Sequence, residues 1–186
     1  MTNKIMIQSI KKSMVLLLLA VAFTSCNQGP TLQTYFVDNE LKPGFISGDI
    51  PASFIDVEKV ELTDEQKEAY ESVDKLNILA FTLGEDNKEE YKVELEKVKA
   101  ILKDSKYQEL MRGGNTKDGK FMVKFIGDVE NIDELIVFGN ANDKGFVVAR
   151  VLGDDMNAGK LMSLQSVLKD MNFDDSNLNG IKHFFK

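Results

Sequence analysis

The stretch ELIVFGNANDKGFVVARVLG, residues 134–153, decides the fold. Two apolar runs, 134–140 and 145–153, are separated by a short polar joint that ends in Asp143-Lys144-Gly145, and a joint that short can only reverse the chain. The runs therefore pair as an antiparallel hairpin. Just upstream, KFMVKFIG (120–127) is a third strand in quick succession. Its Phe121, Val123 and Phe125 alternate with Met122, Lys124 and Ile126, so both faces of that strand are mainly apolar. Further upstream, LNILAFTL (76–83) is apolar on both faces and reads as a central strand, and FISGDI (45–50) is a short first strand.

Helices fill the gaps between these strands. In TLQTYFVDNELKPG (31–44), Leu32, Tyr35 and Phe36 share a helical face, and Lys42-Pro43-Gly44 ends the element. The segment ASFIDVEKVEL (52–62) reads as loop or a helical turn. Thr63-Asp64-Glu65-Gln66 is a capping box, so a helix runs from Asp64 to about Asp74. The longest helix begins near Asn87; Tyr91, Leu95, Val98 and Leu102 recur at helical spacing, and Gly113-Gly114 closes it. A final helix over 158–171 aligns Leu161, Leu164, Leu168 and Met171. The pattern predicts an α+β domain of two layers, a mostly antiparallel sheet of about five strands with helices on one face.

The front of the chain is of another kind. Lys4, Lys11 and Lys12 lead into an apolar core at 14–23, then Thr24-Ser25, then Cys26, the chain's one cysteine. That is the layout of a secretory signal, and its apolar run is too short for the roughly 18 residues that a membrane span needs. A cysteine directly behind the small pair resembles the bacterial lipoprotein pattern, with Phe23 standing where an aliphatic residue is usual. The pattern implies cleavage before Cys26 and lipid on its sulfur. The expected organisation is a lipoprotein signal at 1–25, the lipidated Cys26 with a short linker to residue 31, and a single domain over 32–186. The partner implied by the anchor is the membrane.

Loss of the leader removes three lysines and no acids, leaving 20 basic against 30 acidic residues where the whole chain carries 23 against 30. Phosphate backbones repel such a chain, so no nucleic acid is expected as a partner. The catalytic inventory is thin: one histidine, His183, near the end of the sequence, and no thiol once Cys26 is acylated. No catalytic residue, metal site or cofactor is expected. The motif DSNLNG (175–180) has the alternating oxygens and glycine of half a calcium loop, but Lys186 stands where the bidentate acid belongs, so a polar turn explains it. Asp154, Asp155 and Asn157, where the last strand meets the last helix, are a candidate acidic patch with Asp128 and Glu130, which lie just beyond KFMVKFIG. Helix capping is the plainer use for Asp154, Asp155 and Asn157.

The lipobox-like leader together with TYFVDNELKPGFISGDIPASFI, LTDEQKEAYESVDKLNILAF, KVKAILKDSKYQELM and VFGNANDKGFVVARVLGDDMN resembles the small Bacteroidetes lipoproteins grouped as domain of unknown function 4252. The resemblance implies an envelope lipoprotein with no established activity and therefore no functional residues to carry over. In that group an acidic cluster behind the cysteine marks export to the outer surface; NQGPT lacks one, which favours a periplasm-facing anchor. The expectation is a non-enzymatic binding module whose uncovered sheet face or edge takes an envelope protein or a second copy as a homodimer. The alternatives are a hydrolase working through carboxylates and a carrier for a small apolar ligand.

Overall fold

The decisive hairpin forms with a three-residue loop: β5 (Asn131–Ala141) pairs antiparallel with β6 (Gly145–Met156), with Ala141 opposite Gly145. Lys144 N–H donates to Ala141 O at 3.3 Å, and Lys144 O in turn accepts from Leu83 N–H. Gly145 has φ +122°, and a Cβ there would lie 1.9 Å from Phe81 O, so the hairpin sits against its neighbour in a way no other residue allows.

The computed structural model describes residues 29–54, 57, 60–115, 117 and 119–166. The chain divides at Thr31 into two units, and the second, from Leu32 onward, contains every element among the described residues. In chain order these are α1 (Leu32–Asn39), β1 (Phe45–Pro51), a 3-10 turn (Ala52–Phe54), α2 (Asp64–Glu71), β2 (Val73–Thr82), α3 (Lys88–Ile101), β3 (Gln108–Asn115), β4 (Gly119–Asp128), then β5, β6 and α4 (Ala158–Ser163). The strands form one antiparallel sheet in the order β1-β2-β6-β5-β4-β3. As expected from its two apolar faces, β2 is interior, and β1 and β3 are the edges.

The main core lies on one face of the sheet, the front. Leu79 and Phe81 of β2, Phe146 and Val148 of β6, and Ile136 and Phe138 of β5 pack with Leu32, Tyr35 and Phe36 of α1 and Tyr91 and Val98 of α3. Phe81 and Phe146, both fully buried, stack with centroids 5.8 Å apart. The helix-facing residues read from sequence are therefore the ones that carry this layer. On the opposite face, the back, Ala69 of α2 and Ala158 and Leu161 of α4 form a smaller cluster with Val123, Phe125 and Leu135. Helices thus cover the front along α1 and α3, and the two short ones add a cap over one end of the back.

Polar ties fix α1 to the front layer. Arg150 of β6, 5% exposed, donates from Nε and Nη2 to both carboxylate oxygens of Glu134 at 2.6 and 3.0 Å, and from Nη1 to Gln33 Oε1 at 2.6 Å. Its guanidinium also lies 5.3 Å from the centre of the Phe36 ring. The Tyr35 hydroxyl donates to Glu94 Oε2 at 2.8 Å; burial, with the Glu94 carboxylate beside it, holds that phenol protonated well above the ordinary tyrosine range. Leu32 N–H donates to the Tyr107 hydroxyl at 3.1 Å, which occupies one of the helix's otherwise unpaired first-turn donors.

The capping box forms in full: Gln66 N–H donates to Thr63 Oγ1 at 3.2 Å and Thr63 N–H donates to Gln66 Oε1 at 3.0 Å. The Gln66 amide also donates to Ser163 O, joining α2 to α4. Thr63→Ala should therefore cost about 1 kcal/mol, seen in urea denaturation as a lower midpoint with an unchanged slope.

Two expectations are corrected. The sheet has six strands, because QELMRGGN is β3, whereas the helical pattern carried α3 on to Gly113-Gly114. The helix ends at Ile101: bonds from Lys103 N–H to Ala100 O and Asp104 N–H to Ile101 O tighten its last turn, and Asp104 Oδ1 then accepts from Lys106 N–H. Beyond that turn, pairing along β4 overrides the helix propensity of Gln, Glu, Leu and Met. The glycine pair serves the β3–β4 hairpin instead of a helix end. The second correction is smaller: α2 stops at Glu71 and β2 begins at Val73.

Candidate functional site

The acidic residues singled out from sequence fall on two neighbouring corners. The β4–β5 turn carries Asp128 and Glu130, and the β6–α4 junction carries Asp154, Asp155 and Asn157. The structure joins Glu130 to Asn157, whose Nδ2 donates to Glu130 Oε2 at 2.8 Å, and Ala158 N–H donates to Val129 O. Asn157 is the N-cap of α4, its Oδ1 accepting from Lys160 N–H at 3.1 Å, so capping accounts for it. Asp154 and Asp155 stand in a bulge of β6: Ile132 pairs with Met156 and Glu134 with Leu152, leaving the residues between them on β6 without opposite numbers. Asp154 N–H donates to Ser72 O, and Asp155 has φ +54°, a conformation that Asp tolerates better than most residues.

One cation, Lys160, stands near this corner, paired with Glu68 of α2. Lys160 Nζ bonds Glu68 Oε2, and that bond, together with the Glu68 charge, raises the Lys160 pKa, with smaller contributions from Glu65 and Glu130. Among the described residues, no group of three or more His, Cys, Asp or Glu side chains is arranged to hold a metal ion. Cys26, the calcium-like stretch at 175–186 and His183 lie outside the described residues.

A different feature emerges on the back face of the sheet. Residues paired across strands share a face, so the register defines cross-strand rows. One row runs Ile46, Ala80, Val147, Gly139, Phe121, Gly113; the next runs Gly48, Ile78, Ala149, Val137, Val123, Met111. Neither row contains a charged or polar side chain. Only Val123 of these belongs to the cluster under α2 and α4, with Met111 packed against it. At the other end Phe121 is 40% exposed and Val137 36% exposed. The alternation Phe121/Met122 through Phe125/Ile126 announced two apolar faces on this strand; what sequence reasoning missed was that the uncharged surface continues over every strand. The signal was there in Gly48, Ala80, Ala149 and Gly139, small residues at alternate positions of apolar strands. Sequence reasoning also missed the Arg150–Glu134 pair, which the hairpin register puts on one face of adjacent strands.

The protein is thus an α+β domain built on an open six-stranded antiparallel sheet, with its main core on the front and a smaller cluster on the back, where Phe121 and Val137 are exposed. The chain belongs to the family described as domain of unknown function DUF4252, which matches residues 40–164. The match begins beyond α1 and spans every strand of the sheet. No curated protein and no solved structure matches the chain.

Proposed function

We propose that this chain is an exported lipoprotein, anchored through Cys26 and facing the periplasm, whose domain binds a protein partner in the envelope without catalysing a reaction. The leader supports the anchor: a basic start, a short apolar core and a cysteine directly behind Thr24-Ser25. The observation that carries the binding role is the exposure of two large apolar side chains, Phe121 and Val137, within uncharged rows of the back face, because exposed apolar surface on a sheet marks a place where something docks.

The test is affinity capture of the acylated protein from detergent-solubilised membranes, beside Phe121→Glu, with mass spectrometry of what each retains. Phe121 is half exposed on β4, so the substitution should cost the fold no more than about 1 kcal/mol while placing a charge in the middle of the surface. One envelope protein retained by the native chain and lost from Phe121→Glu is the expected result. Identical capture by both, or none by either, would end the binding-face reading and return attention to carboxylate chemistry.

A further inference from the structure

Three exposed large apolar side chains lie on the front layer. Val37 of α1 is 60% exposed, Leu41 in the turn after it 93%, and Val93 of α3 54%. Glu40 N–H still donates to Phe36 O in helical fashion, so Val37 and Leu41, four residues apart, form one ridge on the outer side of α1, whose Leu32, Tyr35, Phe36 and Asn39 are buried. The turn that carries Leu41 is firmly bonded. Lys42 N–H donates to Asn39 O and Phe45 N–H to Lys42 O, the Ser47 hydroxyl donates to Glu40 O, and the Lys42 ammonium bonds Asn39 Oδ1 at 2.9 Å. An ordered turn thus holds out a leucine that its own domain leaves in water.

Charge sets this layer apart from the rest of an acidic chain. α3 carries four acidic against four basic side chains, and Lys92, Lys97 and Lys99 pair with Glu89, Glu94 and Glu96 at 2.6–2.9 Å. Residues 32–44 add two acids and one lysine. On the back, α2 alone carries four acids against one lysine. The front layer is therefore the side that anionic headgroups repel least.

The tether brings this side to a bilayer. On the proposed anchor α1 is the first element behind the lipid, joined to Cys26 by five residues that span no more than about 20 Å. From Leu32 to Leu41 is roughly another 14 Å along the helix, so the whole ridge lies within reach of the surface that holds the acyl chains. Three apolar side chains are too few to keep a free acidic domain on a membrane. For a tethered domain the effective concentration is high enough that a weak contact sets its orientation.

We propose that the domain lies with its front layer against the bilayer, Val37, Leu41 and Val93 entering the boundary between headgroups and acyl chains, so that the back face with Phe121 and Val137 is turned away from the membrane and open to a partner. The proposal rests on the anchor at Cys26 and adds the orientation of the anchored domain.

The chain contains no tryptophan, so a single one introduced reports its own surroundings. The acylated full chain is reconstituted on vesicles of phosphatidylethanolamine and phosphatidylglycerol, with and without bromine on the acyl chains, as Leu41→Trp and as Phe121→Trp. Both sites are exposed, so the fold tolerates the replacements. The expected result is emission from residue 41 shifted to the blue and quenched severalfold by the brominated lipid, with residue 121 equally bright in both vesicles. Val93→Trp should be quenched as well, and adding Leu41→Asp should restore most of its emission, because a charge on the ridge lifts the layer off. A reporter brought near the surface by the tether alone would not respond to Leu41→Asp, and that result would overturn the contact. Chains that float with the vesicles but keep residue 41 in water, or whose residue 121 is quenched as strongly, would overturn the orientation and leave the anchor standing. Chains that carry no lipid on Cys26 and stay off the vesicles would overturn the anchor and the orientation with it.

Discussion

Arg150→Met should lower the stability of the domain by about 3–5 kcal/mol, because it strips a buried carboxylate of the cation that pairs with it. Glu134 is 8% exposed and both of its oxygens are taken by Arg150. Water cannot replace the guanidinium at that depth, and methionine, though similar in length, offers no donor. Gln33 loses its donor in the same step, and Phe36 loses the cation over its ring, so α1 should loosen first. One control makes the cause visible in urea denaturation. In Arg150→Met/Glu134→Leu both charges are gone, and most of the loss should be recovered, since a buried ion pair is often no better than a packed apolar pair. A double variant as weak as the single would place the effect in lost packing instead of in the orphaned charge.

How much of this was legible beforehand depends on whether neighbours along the chain or neighbours in space decide the outcome. The hairpin at 141–145 needs only its own turn chemistry, and the capping box at Thr63–Gln66 only residues three apart; both form as read. The α1 face of Leu32, Tyr35 and Phe36 and the α3 face at Tyr91, Val98 and Leu102 follow from helical spacing, and all six are buried. The error at β3 has the opposite origin. Gln108, Glu109, Leu110 and Met111 are good helix formers, and nothing local forbids a helix there; the pairing with β4 that makes them a strand is a tertiary fact. The acidic residues show the same limit. That Asn157 caps α4 could be read from its position, but its bond to Glu130 depends on two turns that meet only in the folded sheet. The uncharged back face was half visible, since alternation along one strand shows a second apolar face, but the packing of α2 and α4 against that face is set by where short helices land.

The largest effect expected anywhere in the chain is at Cys26. On the proposed reading, Cys26→Ala releases the protein from the membrane altogether. Acyl chains hold a protein by about 0.8 kcal/mol for each buried methylene, and more than one chain makes the attachment effectively permanent. Nothing else in the sequence would substitute for them. The chain carries 30 acidic against 23 basic residues, three of the latter in the leader, so the domain is repelled by anionic headgroups instead of drawn to them. Among the described residues, no helix is long and apolar enough to cross a membrane. The check is fractionation with intact-mass measurement. The native protein should sit in the membrane fraction, lack residues 1–25 and carry the added mass of lipid on residue 26; the variant should carry no such mass. Because a leader that fails to be cut would itself retain the variant, residues 27–186 should also be exported behind an ordinary cleaved leader, and that form should be fully soluble at every salt concentration. A native chain without lipid, or a leader-swapped chain that still sediments with membranes, would refute the anchor. The anchor also limits where a partner can be found. Five residues separate Cys26 from Leu32, a span of no more than about 20 Å when fully extended, so a domain held that way stays close to the membrane surface. The capture experiment should therefore be prepared for membrane-embedded partners as well as soluble ones.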